Sequence, residues 1–192
     1  MALSAAASSP DIDSLRSDAW VHALHAHGTS EVFRRRAERL RWRTRARDFL
    51  GIAIPLTIGF VVVNTNEQVR HIAEWILGFL GLLQLLMAVW SLVARWDDDR
   101  AYSIFATRSN STLRAEWESV AKAQATHIEA EYNRVQAAEK IIEQEDLTKE
   151  ISDKEKRYGM RAGLLFYRKA CAVCKLVPTS MKPTNCDVCG NF

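Results

Sequence analysis

One stretch of twenty residues without a charge most constrains how this chain can fold. The stretch extends from Trp75 to Ala94 and reads WILGFLGLLQLLMAVWSLVA. At about 1.5 Å per helical residue, it matches the ~30 Å hydrocarbon core of a bilayer. A run of this length and composition is typical of a transmembrane helix. We therefore expect a helix here whose apolar side chains face lipid.

A shorter apolar run, from Phe49 to Val63, lies earlier in the chain. In chain order, Phe49–Val63 is the first run and Trp75–Ala94 is the second run. As a helix it would span only about 22 Å, so the polar residues that follow would extend it into the headgroups. Because a short polar segment separates the runs, we expect an antiparallel hairpin with spans at about residues 49–65 and 73–95. The alternative, a buried hairpin in a soluble protein, is disfavoured because the rest of the chain has too little apolar surface to cover it.

The distribution of arginine predicts the orientation of this hairpin. Arg95 and Arg100 follow the second run, and the connecting loop holds only Arg70. Eight arginines precede the first run: Arg34, Arg35, Arg36, Arg39, Arg41, Arg43, Arg45 and Arg47. Basic residues favour the inner side, so we expect a multi-pass protein of the bacterial inner membrane with both termini cytoplasmic. The basic run is expected to contact the anionic leaflet, and nucleic-acid binding is disfavoured because no binding motif accompanies it.

Small and polar residues recur along one side of the second run. Gly81, Gln84, Ala88 and Ser91 follow each other at steps of three and four. Such residues let helices approach closely in lipid and hydrogen-bond across the interface, which favours packing within the hairpin or an oligomer. The alternative is that this candidate face lines a water path once several hairpins assemble.

The remaining chain is predicted to be helical and cytoplasmic. Residues 113–157 contain neither Gly nor Pro and are rich in helix-forming residues, which predicts one long helix that ends near Gly159 and Gly163. Its narrow apolar stripe requires a partner helix, so we expect a homo-oligomer or packing on the N-terminal helix. The predicted domains are a polar segment (1–30), a basic helix plus hairpin (31–98), the long helix (99–160) and a tail (161–192). The three histidines at positions 22, 25 and 27 are expected at the surface.

The tail carries the strongest local motif. All four cysteines of the chain lie in two C-x-x-C pairs, Cys171 with Cys174 and Cys186 with Cys189, and Gly190 is expected to relieve the second turn. Four thiolates at this spacing can close a tetrahedral site, which predicts structural zinc, with iron as the chemical alternative. A cytoplasmic location disfavours disulfides. The predicted fold class is therefore an all-α membrane protein: a two-helix transmembrane hairpin, long cytoplasmic helices and a small four-cysteine zinc-knuckle tail.

Two apolar runs, a basic lead-in, a long helix and this tail resemble the SLATT-type proteins, two-helix membrane effectors of bacterial nucleotide-dependent conflict systems. The spacing C-x2-C-x11-C-x2-C from Cys171 to Cys189 resembles a mobilome-linked branch of that group. The resemblance implies a pore-forming or membrane-disrupting effector in anti-phage defence. It also implies a partner protein that makes or senses a nucleotide messenger, and it supplies no catalytic residues.

Two functions from different classes therefore stand as hypotheses. The first is an oligomeric inner-membrane effector that opens or perturbs the bilayer. The second is a membrane-anchored zinc-binding adaptor that docks a cytoplasmic partner. An enzyme is disfavoured, because the only candidate groups, Glu67, His71 and Glu74 in the loop and the acidic residues 97–99, form no recognisable catalytic arrangement.

Overall fold

The computed structural model describes residues 11–64 and 67–192, with side chains except at positions 62, 64 and 67–73. These residues form helices and contain no strand, which confirms the all-α prediction. The five helices in chain order are α1 (Ile12–Asn64), α2 (Glu67–Val93), α3 (Trp96–Lys122), α4 (Ile128–Asp146) and α5 (Asp153–Tyr167). Contacts divide the chain into two compact parts, the core unit (residues 11–34 and 104–192) and the apolar unit (residues 35–103).

The apolar unit contains one candidate membrane span among the described residues, Glu74–Val93 in α2. It is twenty residues long, and only 6% of it is buried by the described residues, whereas a core helix would be mostly buried. The prediction of two qualifying spans is therefore corrected to one. The uncharged part of the first run, Phe49 to Val63, is only fifteen residues, too short by itself for a ~30 Å core.

Within this unit, α1 and α2 run antiparallel and touch through polar groups. The guanidinium of Arg47 donates a 2.6 Å hydrogen bond to the hydroxyl of Ser91, which is buried. One turn beyond Arg47 on α1, Gly51 lies beside the side-chain amide of Gln84. Of the candidate face, Gly81 and Gln84 are half-buried, whereas Ala88 is exposed. Gln84 and Ser91 therefore lie on the side of α2 that meets α1, whereas Ala88 is exposed and a Cβ atom on Gly81 would meet nothing within 4 Å.

The core unit is built around Trp117, whose side chain is fully buried. Leu113 and Val120 lie beside it on α3, and Ile128 and Val135 pack against it from α4. The chain predicted as one rod therefore folds back on itself, with breaks at residues 123–127 and 147–152. The apolar stripe is buried in this way within one chain, which a single exposed rod could not do.

The fifth helix begins with a capping signal that is visible in the sequence. Ser152 is its N-cap and forms a capping box with Glu155, in which each side chain bonds the backbone N–H of the other residue. These reciprocal bonds satisfy two of the backbone donors that a helix start leaves free. The helix ends at Arg168, whose left-handed backbone (φ 51°) closes the last turn.

Helices α1 and α5 cross at glycines. A Cβ atom on Gly28 would lie 2.6 Å from the carbonyl oxygen of Gly159, and one on Gly163 would lie 2.7 Å from that of Leu24. The prediction that Gly159 and Gly163 end a helix is therefore wrong. Both lie inside α5, where the missing side chain allows the two backbones to touch.

The three histidines near the start of α1 have separate environments. His22 stacks on Trp117 at 4.5 Å, and its Nδ1 lies 2.9 Å from a carboxylate oxygen of Glu139. His27 stacks on Phe166 at 4.2 Å, whereas His25 is exposed. Two of the three predicted surface residues are thus half-buried parts of the core unit.

Candidate metal centre

The four cysteines meet in the loops that follow α5. The Sγ atoms of Cys171 and Cys186 are 4.0 Å apart, and those of Cys174 and Cys189 are 3.7 Å apart. All four sulfur atoms lie within 4.8 Å of one another. No other group of three or more potential ligands converges in this way among the residues whose side chains are described. The spacing of the motif therefore translates into a single four-sulfur cluster.

The geometry of the cluster fits a tetrahedral metal ion. An ion with bonds of about 2.3 Å to sulfur holds neighbouring sulfurs about 3.8 Å apart, close to the separations observed. The four thiols are free rather than joined in disulfides. Cys171 and Cys189 are buried, and Cys174 and Cys186 are half-buried. The four residues can therefore hold one metal ion with all of its positions filled by protein.

Both cysteine pairs sit in turns that are closed by the same type of backbone hydrogen bond. The backbone N–H of Lys175 donates to the carbonyl of Cys171, and that of Gly190 donates to the carbonyl of Cys186, each at 2.9 Å. The left-handed residues are Lys175 (φ 60°) and Asn191 (φ 51°). Gly190 was expected to relieve a tight turn through its conformational freedom, and this explanation is wrong. Its φ is not positive, but a side chain there would overlap the backbone and hydroxyl of Thr184.

The electrostatic environment differs between the two cysteines of the second pair, Cys186 and Cys189. Backbone N–H groups of Cys189 and Val188 point at the sulfur of Cys186 and lower its pKa to about 6. Burial, followed by the neighbouring thiols, raises the pKa of Cys189. Hydrogen bonds stabilise a thiolate, and burial opposes one. A cation at the centre would reverse this penalty by supplying positive charge to the buried sulfurs.

Two arginines of α5, one turn apart, hold the metal loops. Arg161 is buried and donates to the carbonyls of Ser180 (2.7 Å) and Cys189 (3.1 Å). Arg157 donates to the carbonyls of Asp187 (2.9 Å) and Asn191 (3.2 Å). The sequence analysis missed these residues. The sequence signal that could have identified them is a pair of arginines four residues apart just before the cysteine loops, because the carbonyl groups of such loops need hydrogen-bond donors.

The metal centre is continuous with a small apolar core. Cys171 and Cys189 pack against Leu24 of α1 and Leu164 of α5. A tail of this length has little core of its own, so contact with two helices supplies the apolar burial that it lacks. Folding of the tail and docking of α5 on α1 are therefore expected to depend on each other.

The predicted basic run has partners at both of its ends. Arg34 pairs with Glu31, and Arg47 pairs with Asp48 and Asp97. Most of the remaining arginines are exposed along α1: Arg35, Arg39, Arg41, Arg43 and Arg45, with Arg36 half-buried. This part of α1 thus has a concentration of positive charge at its surface.

Two of the candidate catalytic groups, Asp97 and Asp98, have arginine partners. The side chains of Glu67 and His71 lie outside the described residues. Asp97 is bonded to Arg47, and Asp98 to Arg95 at 2.8 Å. These acidic residues therefore serve as ion-pair partners of arginine in the apolar unit.

Comparison with known proteins gives one match. The model of a family described as mobilome CxxCx(11)CxxC protein matches residues 16–192, which covers most of the chain including both cysteine pairs. No curated protein and no solved structure matches significantly.

Proposed function

The chain belongs to the mobilome CxxCx(11)CxxC protein family, and on that premise we propose that it is an oligomeric membrane effector of a bacterial conflict system. The observation that carries this proposal is the exposed apolar surface of α2, whose candidate span is 6% buried. A surface of this size requires lipid or protein to cover it. Its length of twenty residues fits a bilayer core.

We further propose that α1 enters the membrane beside α2, as a hairpin in the inner membrane with both ends in the cytoplasm. The large apolar side chains of α1 form an exposed stripe at steps of three and four: Phe49, Ile52, Leu56, Phe60 and Val63. This stripe continues the apolar surface of α2, since the two helices pack antiparallel. Local thinning of the bilayer accommodates a short span at modest cost. The exposed arginines then lie at the anionic inner leaflet.

The metal that we propose for the four-cysteine cluster is zinc in a structural role. Four cysteines leave no open position for a substrate or water, which is typical of structural rather than catalytic sites. Iron accepts the same ligands, and elemental analysis with an absorption spectrum of the purified chain separates the two metals. The protein is accordingly proposed to be non-enzymatic.

The proposed action combines these parts. The core units assemble, the metal tails brace the assembly, and the hairpins open or perturb the membrane. The resemblance to SLATT-type proteins supports an anti-phage role and a nucleotide-signalling partner. Polar Gln84, which lies on the side of α2 that meets α1, is the residue most suited to a water path, because Ser91 is already bonded to Arg47.

The test is induced expression in bacterial cells with membrane potential and potassium release as readouts. We expect rapid depolarisation by the wild type and its loss in Gln84→Leu, with membrane insertion retained. Ala88→Leu is the matched control, because Ala88 is exposed and one turn from Gln84. Unchanged depolarisation by Gln84→Leu would exclude this water path. A Cys171→Ser/Cys174→Ser variant reports whether the metal tail enables or restrains the effect.

The second candidate function is a membrane-anchored adaptor whose metal tail docks a partner. The observation that favours it is the exposed apolar surface of the tail, at Val173 and Leu176. Under this hypothesis, replacing both apolar helices by an unrelated hairpin preserves function. Loss of function in that chimaera, with the metal still bound, would favour the effector.

A further inference from the structure

The loop between the two cysteine pairs carries an apolar groove. Val173, Leu176 and Val177 are 60%, 69% and 45% exposed. A cavity of about 560 Å³ opens beside them. It is also lined by Pro178 and by three of the four cysteines, so it borders the candidate metal centre. Branched apolar side chains grouped at one open site are a mark of an interaction surface. We call this surface the tail groove.

The chain around the tail groove has an excess of positive charge, although the cavity itself is lined by one charge of each sign, Arg161 and Asp187. Residues 168–192 contain four basic residues and one acidic residue. Lys175 and Lys182 are exposed, and neither ammonium forms an ion pair with the part of the chain that the structure describes. An occupant of the groove should therefore combine apolar side chains with carboxylates.

The end of α4 has the complementary chemistry. This helix contains six acidic and two basic residues. Ile141 is 61% exposed, and Leu147, which caps the helix, is 81% exposed. Glu143 and Glu145 are exposed between them. The last turn of a helix also carries a partial negative charge. We call residues 141–147 the α4 end.

We propose that the tail groove binds the α4 end of a second copy of the chain. Both surfaces are exposed within one chain, so neither covers the other there. Because the two surfaces are different, the contact is head-to-tail, and each copy keeps one free groove and one free α4 end. Contacts of this type close into a ring or extend as an open array. The inference deepens the proposed function, on which it rests for self-assembly, by naming the contact that builds the oligomer.

Charge reversal of the full chain in mild detergent tests the contact, with particle mass measured as a function of concentration. Lys175→Glu/Lys182→Glu places acidic groups opposite the acidic α4 end and should weaken self-association by about tenfold or more. Glu143→Lys/Glu145→Lys should do the same from the other side. All four changes in one chain should restore the wild-type mass. Arg108→Glu/Lys154→Glu makes the same change in net charge at exposed sites elsewhere and serves as the control.

Mixing experiments test the head-to-tail arrangement. Leu176→Asn removes only the groove contact and Leu147→Asn only the α4 contact, so each variant alone should be monomeric. Their mixture should form dimers and nothing larger, since one intact groove meets one intact α4 end. A mixture that stays monomeric, or a lysine variant with wild-type mass, overturns the proposal. Retention of bound metal in every variant shows that the tail is folded.

The readout separates this inference from the proposed function. Particle mass is measured without a bilayer, and depolarisation is measured in cells. A chain that assembles through this contact but leaves the membrane potential unchanged would exclude the pore and support the interface. A chain that depolarises cells while the charge variants keep full mass would exclude the interface.

Discussion

Replacing Gly28 by alanine is predicted to separate α1 from α5. The new Cβ would lie 2.6 Å from the carbonyl oxygen and 2.9 Å from the carbonyl carbon of Gly159. Ordinary carbon–oxygen contacts lie at about 3.3–3.6 Å, so the overlap is roughly 0.7 Å. Both partners are backbone atoms, which means that a rotamer change cannot relieve the contact and the helices themselves must move.

The expected magnitude is a loss of about 2 kcal/mol in the stability of the core unit. Overpacking costs about 1–3 kcal/mol, and a contact with backbone belongs at the upper end of that range. Alanine recovers up to ~1 kcal/mol because it favours helix over glycine. A net loss of this size lowers the midpoint of thermal unfolding by about 8 °C.

The assay is the temperature at which the cysteines react with a maleimide. All four cysteines lie in the core unit, so their exposure reports that unit alone. Gly81→Ala is the control, because a Cβ there meets nothing within 4 Å. A midpoint for Gly28→Ala equal to that of the wild type would refute the argument that the close crossing of backbones requires glycine.

Three further predictions concern the core unit and the metal. The pKa of His22 is raised, chiefly by its hydrogen bond to Glu139; its stabilisation is full below the unfolded pKa of about 6.5 and is lost as pH rises through the higher folded value. The stability difference between wild type and His22→Gln should therefore be larger at pH 6 than at pH 8, and a difference independent of pH would contradict the pairing. Arg161→Lys should lose the forked contacts to the carbonyls of Ser180 and Cys189 and weaken tail docking by about 2 kcal/mol. The measurement is the rate of metal loss to a chelator, which should rise. Arg157→Lys should have a smaller effect, because the contacts of Arg157 are exposed. Cys186→Ser should reduce the bound metal well below one ion per chain by elemental analysis, and full metal content in this variant would exclude a four-sulfur site.

The features set by local pattern were predictable. Apolar length identified the span in α2, and the spacing of the cysteines identified the four sulfurs that meet. Both signals are contained in short stretches, so no knowledge of distant contacts is needed. The all-α class follows for the same reason.

The features set by distant contacts were not predictable from one sequence. Gly159 and Gly163 carry the usual signature of a helix end, yet they lie mid-helix because the backbone of α1 passes beside them. The stripe from Leu113 onward has a helical period whether the helix is one rod or a folded pair. The position of Trp117 in the core decides between these, and that position depends on α1 and α4. Arg161 was missed because its partners are backbone carbonyls, which every residue has.

The core unit is interrupted in the sequence by the whole of the apolar unit, and this has a consequence for biogenesis. Gly28 and Leu24 leave the ribosome well before Gly159 and Cys171, which they contact in the finished fold. At roughly 5–20 residues per second, the start of α1 waits on the order of ten seconds for its partners. The span in α2 is synthesised within this interval. The early part of α1 is therefore a nascent amphipathic segment, and a chaperone or the membrane surface competes for its apolar face before the metal centre forms.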